Sequence, residues 1–182
     1  IGSQEPEIGN AMKLNRTVIA MFAIVLIAVC SGGVNSEQLQ QRDGLIYEVN
    51  NPDPYTGKVE TFYANGQKQS ETNYVDGKQH GKQESWHENG QKMLEKNYVD
   101  GKLHGKQEEW YESGQKWSEK NYVDGQEHGK YERWYENGQK MLEENYVDGK
   151  PHGKRIVWAE NGKILAEVNY VDGVLVEREN GC

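Results

Sequence analysis

The chain has 182 residues with 29 acids against 21 bases, a formal net charge of −8, and its apolar residues make up only 35%. That acidity argues against nucleic acid and anionic lipid as partners, because both select basic surfaces. After residue 36 no aliphatic run is long enough for a thick core, and regularly spaced aromatics and turn dipeptides outweigh the disorder that such polarity alone would suggest.

Residues 1–11 read as an upstream or mis-started segment, with Met12 the better start. Lys13 and Arg16 then form a basic flank, and Val18 to Val29 is an unbroken apolar run. The run is far shorter than the ~20 residues of a membrane-spanning helix. Basic flank, short apolar run and small residues after it predict a secretory signal peptide over residues 12–36. Two endings are open. Ile27-Ala28-Val29-Cys30 resembles a bacterial lipobox, which would lipidate Cys30, although Val29 stands where that pattern carries a small residue. Val34-Asn35-Ser36 is an alternative cleavage site for ordinary secretion. Either way residues 1–36 are expected outside any sheet. Removal of all of residues 1–36 leaves only Cys182, so that no intrachain disulfide can form. The net charge stays at −8, since Lys13 and Arg16 leave together with Glu5 and Glu7.

Residues 37–56 read as a lead-in linker and strand. From residue 57 the chain repeats itself. Asn-Tyr-Val-Asp-Gly recurs with its tyrosine at Tyr74, Tyr98, Tyr122, Tyr146 and Tyr170, each 24 residues after the last. Trp86, Trp110, Trp134 and Trp158 form a second column, and His80, His104, His128 and His152 a third. Self-similarity at this period marks a stacked array in which each unit touches only its neighbours. Each unit holds two turn signals, such as Asn89-Gly90 and Asp100-Gly101-Lys102, separated by segments of strand length. The predicted fold is all-β: a single-layer antiparallel β-hairpin repeat array with five hairpins over 57–173. Tight turns are expected at 65–66, 89–90, 113–114, 137–138 and 161–162, and residues 174–182 form a tail or cap. The spacing leaves no room for βαβ crossovers.

A two-residue turn at Asn89-Gly90 pairs Trp86 with Met93, and likewise Trp110 with Trp117, Trp134 with Met141 and Trp158 with Leu165. It also sets Gly81, Gly105 and Gly129 opposite Tyr98, Tyr122 and Tyr146, where a ring can lie over a glycine. The second turn is placed on Gly101-Lys102 in preference to Asp100-Gly101, so that the Trp/Met row continues straight across the sheet. One face then carries Trp and Met, the other Gly and Tyr, and neither is apolar enough to bury a second sheet.

The units GKQEEWYESGQKWSEKNYVDG and GKYERWYENGQKMLEENYVDG resemble bacterial MORN-variant repeats. The lead-in Arg42-Asp43-Gly44-Leu45-Ile46-Tyr47 with Pro54-Tyr55-Thr56-Gly57-Lys58 resembles the opening unit of such proteins, so the likeness covers roughly residues 42–173. It implies a MORN-like meander acting as a scaffold or interaction surface. The label "YwqK-type antitoxin", borne by many bacterial members, implies neutralisation of a toxic partner by binding.

The candidate interaction surface is the face with Trp86, Trp110, Trp117, Trp134 and Trp158. Beside them one row gathers Glu60, Glu71, Glu84, Glu95, Glu108, Glu119, Glu132 and Glu143. Like charges facing each other destabilise a sheet, so three readings stand: a solvated stripe flanked by lysines, a weak cation-binding ladder, or a carboxylate stripe for a basic partner. The histidine column reads as repeated turn residues and not as a metal site, because equivalent atoms two strands apart lie ~9–10 Å from one another. His87 has no equivalent and no assigned role. No nucleophile, base and orienting group recur together, and a row of equal carboxylates cannot separate two pKa values. The chain is therefore expected not to be an enzyme, with no cofactor and no metal. The reading is an extracytoplasmic protein-binding or scaffold module in a bacterium, periplasmic, secreted or lipid-anchored, touching membrane only through its signal or lipid. The alternative is an antitoxin or immunity-like inhibitor, and sugar stacking on Trp rings is a more distant third.

Overall fold

The computed structural model describes residues 34–176. Val18–Val29, Cys30 and residues 177–182 lie outside the described residues. Five antiparallel hairpins stand side by side in sequence order within one sheet. Their strands are Gly57–Phe62 with Lys68–Val75, Lys78–Trp86 with Lys92–Val99, Gly105–Trp110 with Lys116–Val123, Gly129–Trp134 with Lys140–Val147, and Gly153–Trp158 with Ile164–Val171. No second sheet covers either face of the hairpins among the described residues. The only buried hydrophobic side chains there are Tyr55, Val59 and Leu142. The fold class is as the periodicity predicts: a single layer held by cross-strand contact.

The tip of each hairpin differs from its predicted turn. In the second hairpin the His87 N–H donates to the Gln91 carbonyl at 2.8 Å and Gly90 N–H donates to the His87 carbonyl at 2.9 Å. Gly90 is left-handed at φ 84°, whereas Asn89 keeps an ordinary negative φ. Asn89 Oδ1 instead accepts from Gln91 N–H at 2.9 Å. The loop thus has three residues closed by a glycine bulge, not two residues of positive φ. One further bulge restores the register: Trp86 pairs with Lys92, Ser85 pairs with Leu94, and Met93 is the extra residue. The same shift sets Trp110 opposite Lys116, Trp134 opposite Lys140 and Trp158 opposite Ile164. The expected pairs Trp86–Met93, Trp110–Trp117, Trp134–Met141 and Trp158–Leu165 therefore do not form.

The other turn is also corrected. Asp100 at φ 49° and Gly101 at φ 81° are its two central residues, with Val99 paired to Lys102. An Asp side chain tolerates the left-handed region better than most, which suits this tight turn. The centre is Asp100-Gly101, not Gly101-Lys102. The glutamate register survives because His104-Gly105 absorbs two residues, so Glu95 still meets Glu108. Gly105 sits at φ 80°, and a Cβ there would meet nothing within 4 Å. It does lie opposite Tyr122, but backbone conformation, not a covering ring, explains the glycine.

The N-terminal side is capped. Val34–Asn35 runs parallel to the first hairpin, Val34 against Val59 and Asn35 against Glu60. This overturns the expectation that all of 1–36 lies outside the sheet. The lead-in is itself a hairpin, Leu39–Arg42 with Leu45–Glu48, so it is more than a linker with one strand. Its Ile46 N–H donates to the Gly77 carbonyl at 2.9 Å, tying it to the Asp76-Gly77 turn.

Candidate functional site

The glutamate row forms in register: Glu60 faces Glu71, then Glu84, Glu95, Glu108, Glu119, Glu132 and Glu143 follow across the sheet. It is not a bare acidic stripe. In a regular strand Lys92 and Glu95 would point to opposite faces, but the bulge at Met93 turns Lys92 onto the glutamate face. Its Nζ then lies 2.6 Å from both Glu84 and Glu95. Lys68 bridges Glu60 at 2.5 Å and Glu71 at 2.6 Å, and Lys116 bridges Glu108 at 2.5 Å and Glu119 at 2.7 Å. Lys140 joins Glu132 and Glu143 in the same way. A second lysine column adds Lys58 to Glu71, Lys82 to Glu95, Lys106 to Glu119 and Lys130 to Glu143. The ammonium groups fill the space in which a bound cation would have to sit.

The lattice shifts the pKa of four of its carboxyls downward, Glu71, Glu95, Glu119 and Glu143. Hydrogen bonds from Lys92 and Lys82, against an opposing effect of partial burial, bring Glu95 down to about 2. For Glu71 and Glu119 burial alone would raise the pKa, but the paired lysines outweigh it and the net shift is downward. The Lys140 hydrogen bond leads the same downward shift at Glu143. Carboxyls held this low are poor general acids near neutrality.

Trp86, Trp110, Trp134 and Trp158 are half-buried. The first three share this face with the lysines: Lys68, Lys92 and Lys116 lie 5.6, 5.6 and 5.8 Å from the rings of Trp86, Trp110 and Trp134. Trp117 does not join them. It is the extra residue of the third hairpin's bulge and lies against Tyr111 at 6.4 Å and Arg133 at 5.0 Å. Arg133 pairs with Ser118 and Leu142, whose parity places them on the Gly/Tyr face. So Trp117 belongs to the opposite face from the other candidates.

Each histidine of the column latches its turn to the next. Nδ1 of His80, His104, His128 and His152 lies 3.4, 3.6, 3.5 and 3.4 Å from Asp100, Asp124, Asp148 and Asp172. Gly101 N–H also donates to the Gln79 carbonyl, and Gly125 N–H to Leu103, both at 2.8 Å. At the hairpin tips Tyr63, Tyr111 and Tyr135 donate their hydroxyls to the carbonyls of Trp86, Trp134 and Trp158 at 2.7, 3.0 and 2.9 Å. His87 takes the same place, with Nε2 3.2 Å from the Trp110 carbonyl. It has structural equivalents after all. Asn73, Asn97 and Asn121 donate to the carbonyls of Lys82, Lys106 and Lys130 at 2.7, 2.8 and 3.2 Å, beside the His-Gly irregularity. These roles escape sequence reading because each joins residues some nine to 23 positions apart. A lysine three positions before Glu71, Glu95, Glu119 and Glu143 is visible in the sequence, but only the bulge shows that the two share a face.

The architecture is thus a hairpin-repeat sheet whose units are cross-linked by one repeated set of side chains. The MORN repeat variant family model matches residues 55–76, 79–100, 103–124, 127–148 and 151–172. The chain belongs to that family, a repeat module and not an enzyme family. No curated protein matches it. Among solved structures it is similar to one described as "Crystal structure of GtfA/B complex bound to UDP and GlcNAc". That match has 16% identity and a TM-score of 0.27, and covers 74% of this chain and 29% of the other. The chain spans less than a third of that protein's length, and so weak a likeness carries no argument here.

Proposed function

We propose that the chain is an extracytoplasmic protein-binding or scaffold module of a bacterium. The observation that supports this reading most is a sheet that no second sheet covers among the described residues, with half-buried aromatics beside a lattice of charge pairs. Pre-ordered aromatic and charged surface lowers the entropy cost of docking. Candidate contact residues remain Trp86, Trp110, Trp117, Trp134 and Trp158, now divided between the two faces. Affinity capture of the native protein from its own cells tests the reading. One protein recovered in stoichiometric amount is the expected result, and none would overturn it. An antitoxin of the YwqK type is the second reading, and rescue from the toxicity of a co-expressed neighbouring gene product tests it.

The location rests on the basic flank and the apolar run Val18 to Val29. Pairing of Val34–Asn35 with the first hairpin favours cleavage ahead of Val34, since cleavage after Ser36 would remove that strand. It therefore supports Cys30 as the mature, lipidated N-terminus. Mass spectrometry of the mature protein is expected to find acylated Cys30, and a chain beginning at Glu37 would refute it.

A further inference from the structure

The two faces differ in how closely the units copy one another. On the Trp face the same residue recurs at nearly every unit: Lys58, Lys82, Lys106, Lys130 and Lys154, or Glu71, Glu95, Glu119, Glu143 and Glu167. Cross-strand pairing explains that uniformity, because each side chain must fit the copy beside it. On the Gly/Tyr face equivalent positions diverge. Thr61, Ser85, Glu109, Arg133 and Val157 occupy one of them, and Gln69, Met93, Trp117, Met141 and Leu165 another. An array of equal units offers no unique site; this face supplies one where the divergence concentrates, between the third and fourth hairpins.

There Arg133 lies over Trp117 at 5.0 Å, and Trp117 against Tyr111 at 6.4 Å. The neighbouring charges are satisfied internally. Glu109 accepts from Ser118 at 2.8 Å and Gln107 at 2.9 Å, Lys120 meets Glu127 at 2.6 Å, and Arg155, whose Nε also lacks hydrogen-bond geometry, has Glu144 at 3.2 Å as its counter-charge. Arg133 has no carboxylate within 4.0 Å among the described residues, and its buried Nε has no hydrogen-bond partner. A guanidinium stacked on an indole keeps its planar fork of donors and loses part of its hydration, which strengthens a hydrogen bond to an incoming anion. Trp, Tyr and Arg packed together are also the residue types that dominate protein interfaces. On a chain of net charge −8, with Glu109, Glu127 and Glu144 close by, a polyanion would be repelled. A single carboxylate next to an apolar side chain would not.

Resting on the protein-binding reading, we propose that Trp117, Arg133 and Tyr111 form the docking site for an acidic segment of a partner protein. One partner carboxylate pairs with Arg133, and the adjoining apolar side chain lies on Trp117 and Met141. The site is on the Gly/Tyr face, opposite Trp86, Trp110 and Trp134.

The repeats supply the variants. Arg133→Glu and Trp117→Met install residues that the equivalent positions already carry in Glu109 and Met93, so the fold has room for them. The full chain is immobilised and a phage-displayed library of random linear peptides is selected on it. Peptides enriched in Asp or Glu beside an aromatic or large aliphatic residue are expected. Their affinity should fall at least tenfold on Arg133→Glu and on Trp117→Met. Selection on Arg133→Glu itself should yield Lys- or Arg-bearing peptides. Recovery of no peptides, of peptides without acidic bias, or of peptides indifferent to Arg133→Glu overturns the proposal. Peptides lost on Trp110→Ala alone also overturn it while leaving the protein-binding reading intact, whereas that reading falls only if native capture finds no partner.

Discussion

Lys116 stands between Glu108 and Glu119 with hydrogen bonds to both. Replacing it with Met leaves the two carboxylates facing each other without their shared cation. Lys116→Met is expected to cost about 1–2 kcal/mol in urea unfolding, because the group is partly solvated and each bond is modest. The triple change Glu108, Glu119 and Glu132→Gln should also destabilise, since those carboxylates are bonded to lysines and do not simply repel. A melting temperature unchanged or raised in the triple variant would remove the lattice from the account. The pH dependence has a definite sign. Carboxyls with depressed folded pKa values contribute stability above their unfolded value near 4.5 and lose it as pH falls toward about 2, the folded value of Glu95. Lys92 and Lys116 are raised, so their contribution is present below about 10.5 and fades above it. Stability should therefore be flat from about pH 5 to pH 10 and fall on both sides. A maximum centred on the isoelectric pH would contradict this. Residue identity was legible here and pairing was not: lysine and glutamate three positions apart read as opposite faces unless a bulge intervenes.

At the scale of the element, every hairpin depends on left-handed residues. Gly105 at φ 80° begins the third hairpin, where a Cβ meets open space, so Gly105→Ala tests backbone conformation without a clash. It is expected to cost about 1 kcal/mol in chemical denaturation. Asn97→Ala should cost a similar ~1 kcal/mol by removing the donor to the Lys106 carbonyl. Neither loss would be seen if the two-residue irregularity at His104-Gly105 were absent. The five hairpins and the places where their strands end were readable, because Asn-Gly, Ser-Gly and Asp-Gly interrupt short polar-aromatic segments, but the lead-in hairpin and the centring of the Asp-Gly turns were not. Turn type was not. Asn89-Gly90 and Asp100-Gly101 look alike on paper, yet only the second has two left-handed residues. Loop length is decided by which carbonyl the turn N–H reaches, and that depends on strand twist as much as on local preference.

The whole molecule is asymmetric along the array. Its N-terminal side carries Val34–Asn35 and the lead-in hairpin, whereas at the far side Ile156 and Ile164 replace the lattice Glu and Lys. Ile164, Leu165, Val174 and Leu175 are exposed there, at 51%, 62%, 67% and 51%. Hydrogen exchange should find the central hairpins protected longest and residues 164–176 opening first, because the last hairpin has lost lattice charge pairs and is followed, among the described residues, by only the short strand Val174–Val176. Trp110→Ala should cost about 2 kcal/mol, below the value for a fully packed ring because Trp110 is only half-buried. Trp158→Ala, beside the less braced side, should cost less. Equal losses from the two would contradict nearest-neighbour stacking.

From the sequence alone follow the period, the all-β class, the five hairpins and the row of glutamates, because each is a local or strictly repeated property that survives any small error in turn geometry. The tertiary structure decided what those rows do. Single-residue bulges at Met93, Trp117, Met141 and Leu165 reverse the facing of the residues beside them. They bring lysines among the glutamates and send Trp117 to the other face, against Arg133. Side-chain facing in a strand alternates with period two, so one inserted residue inverts it. Periodicity along the chain is blind to that insertion because it recurs in every copy.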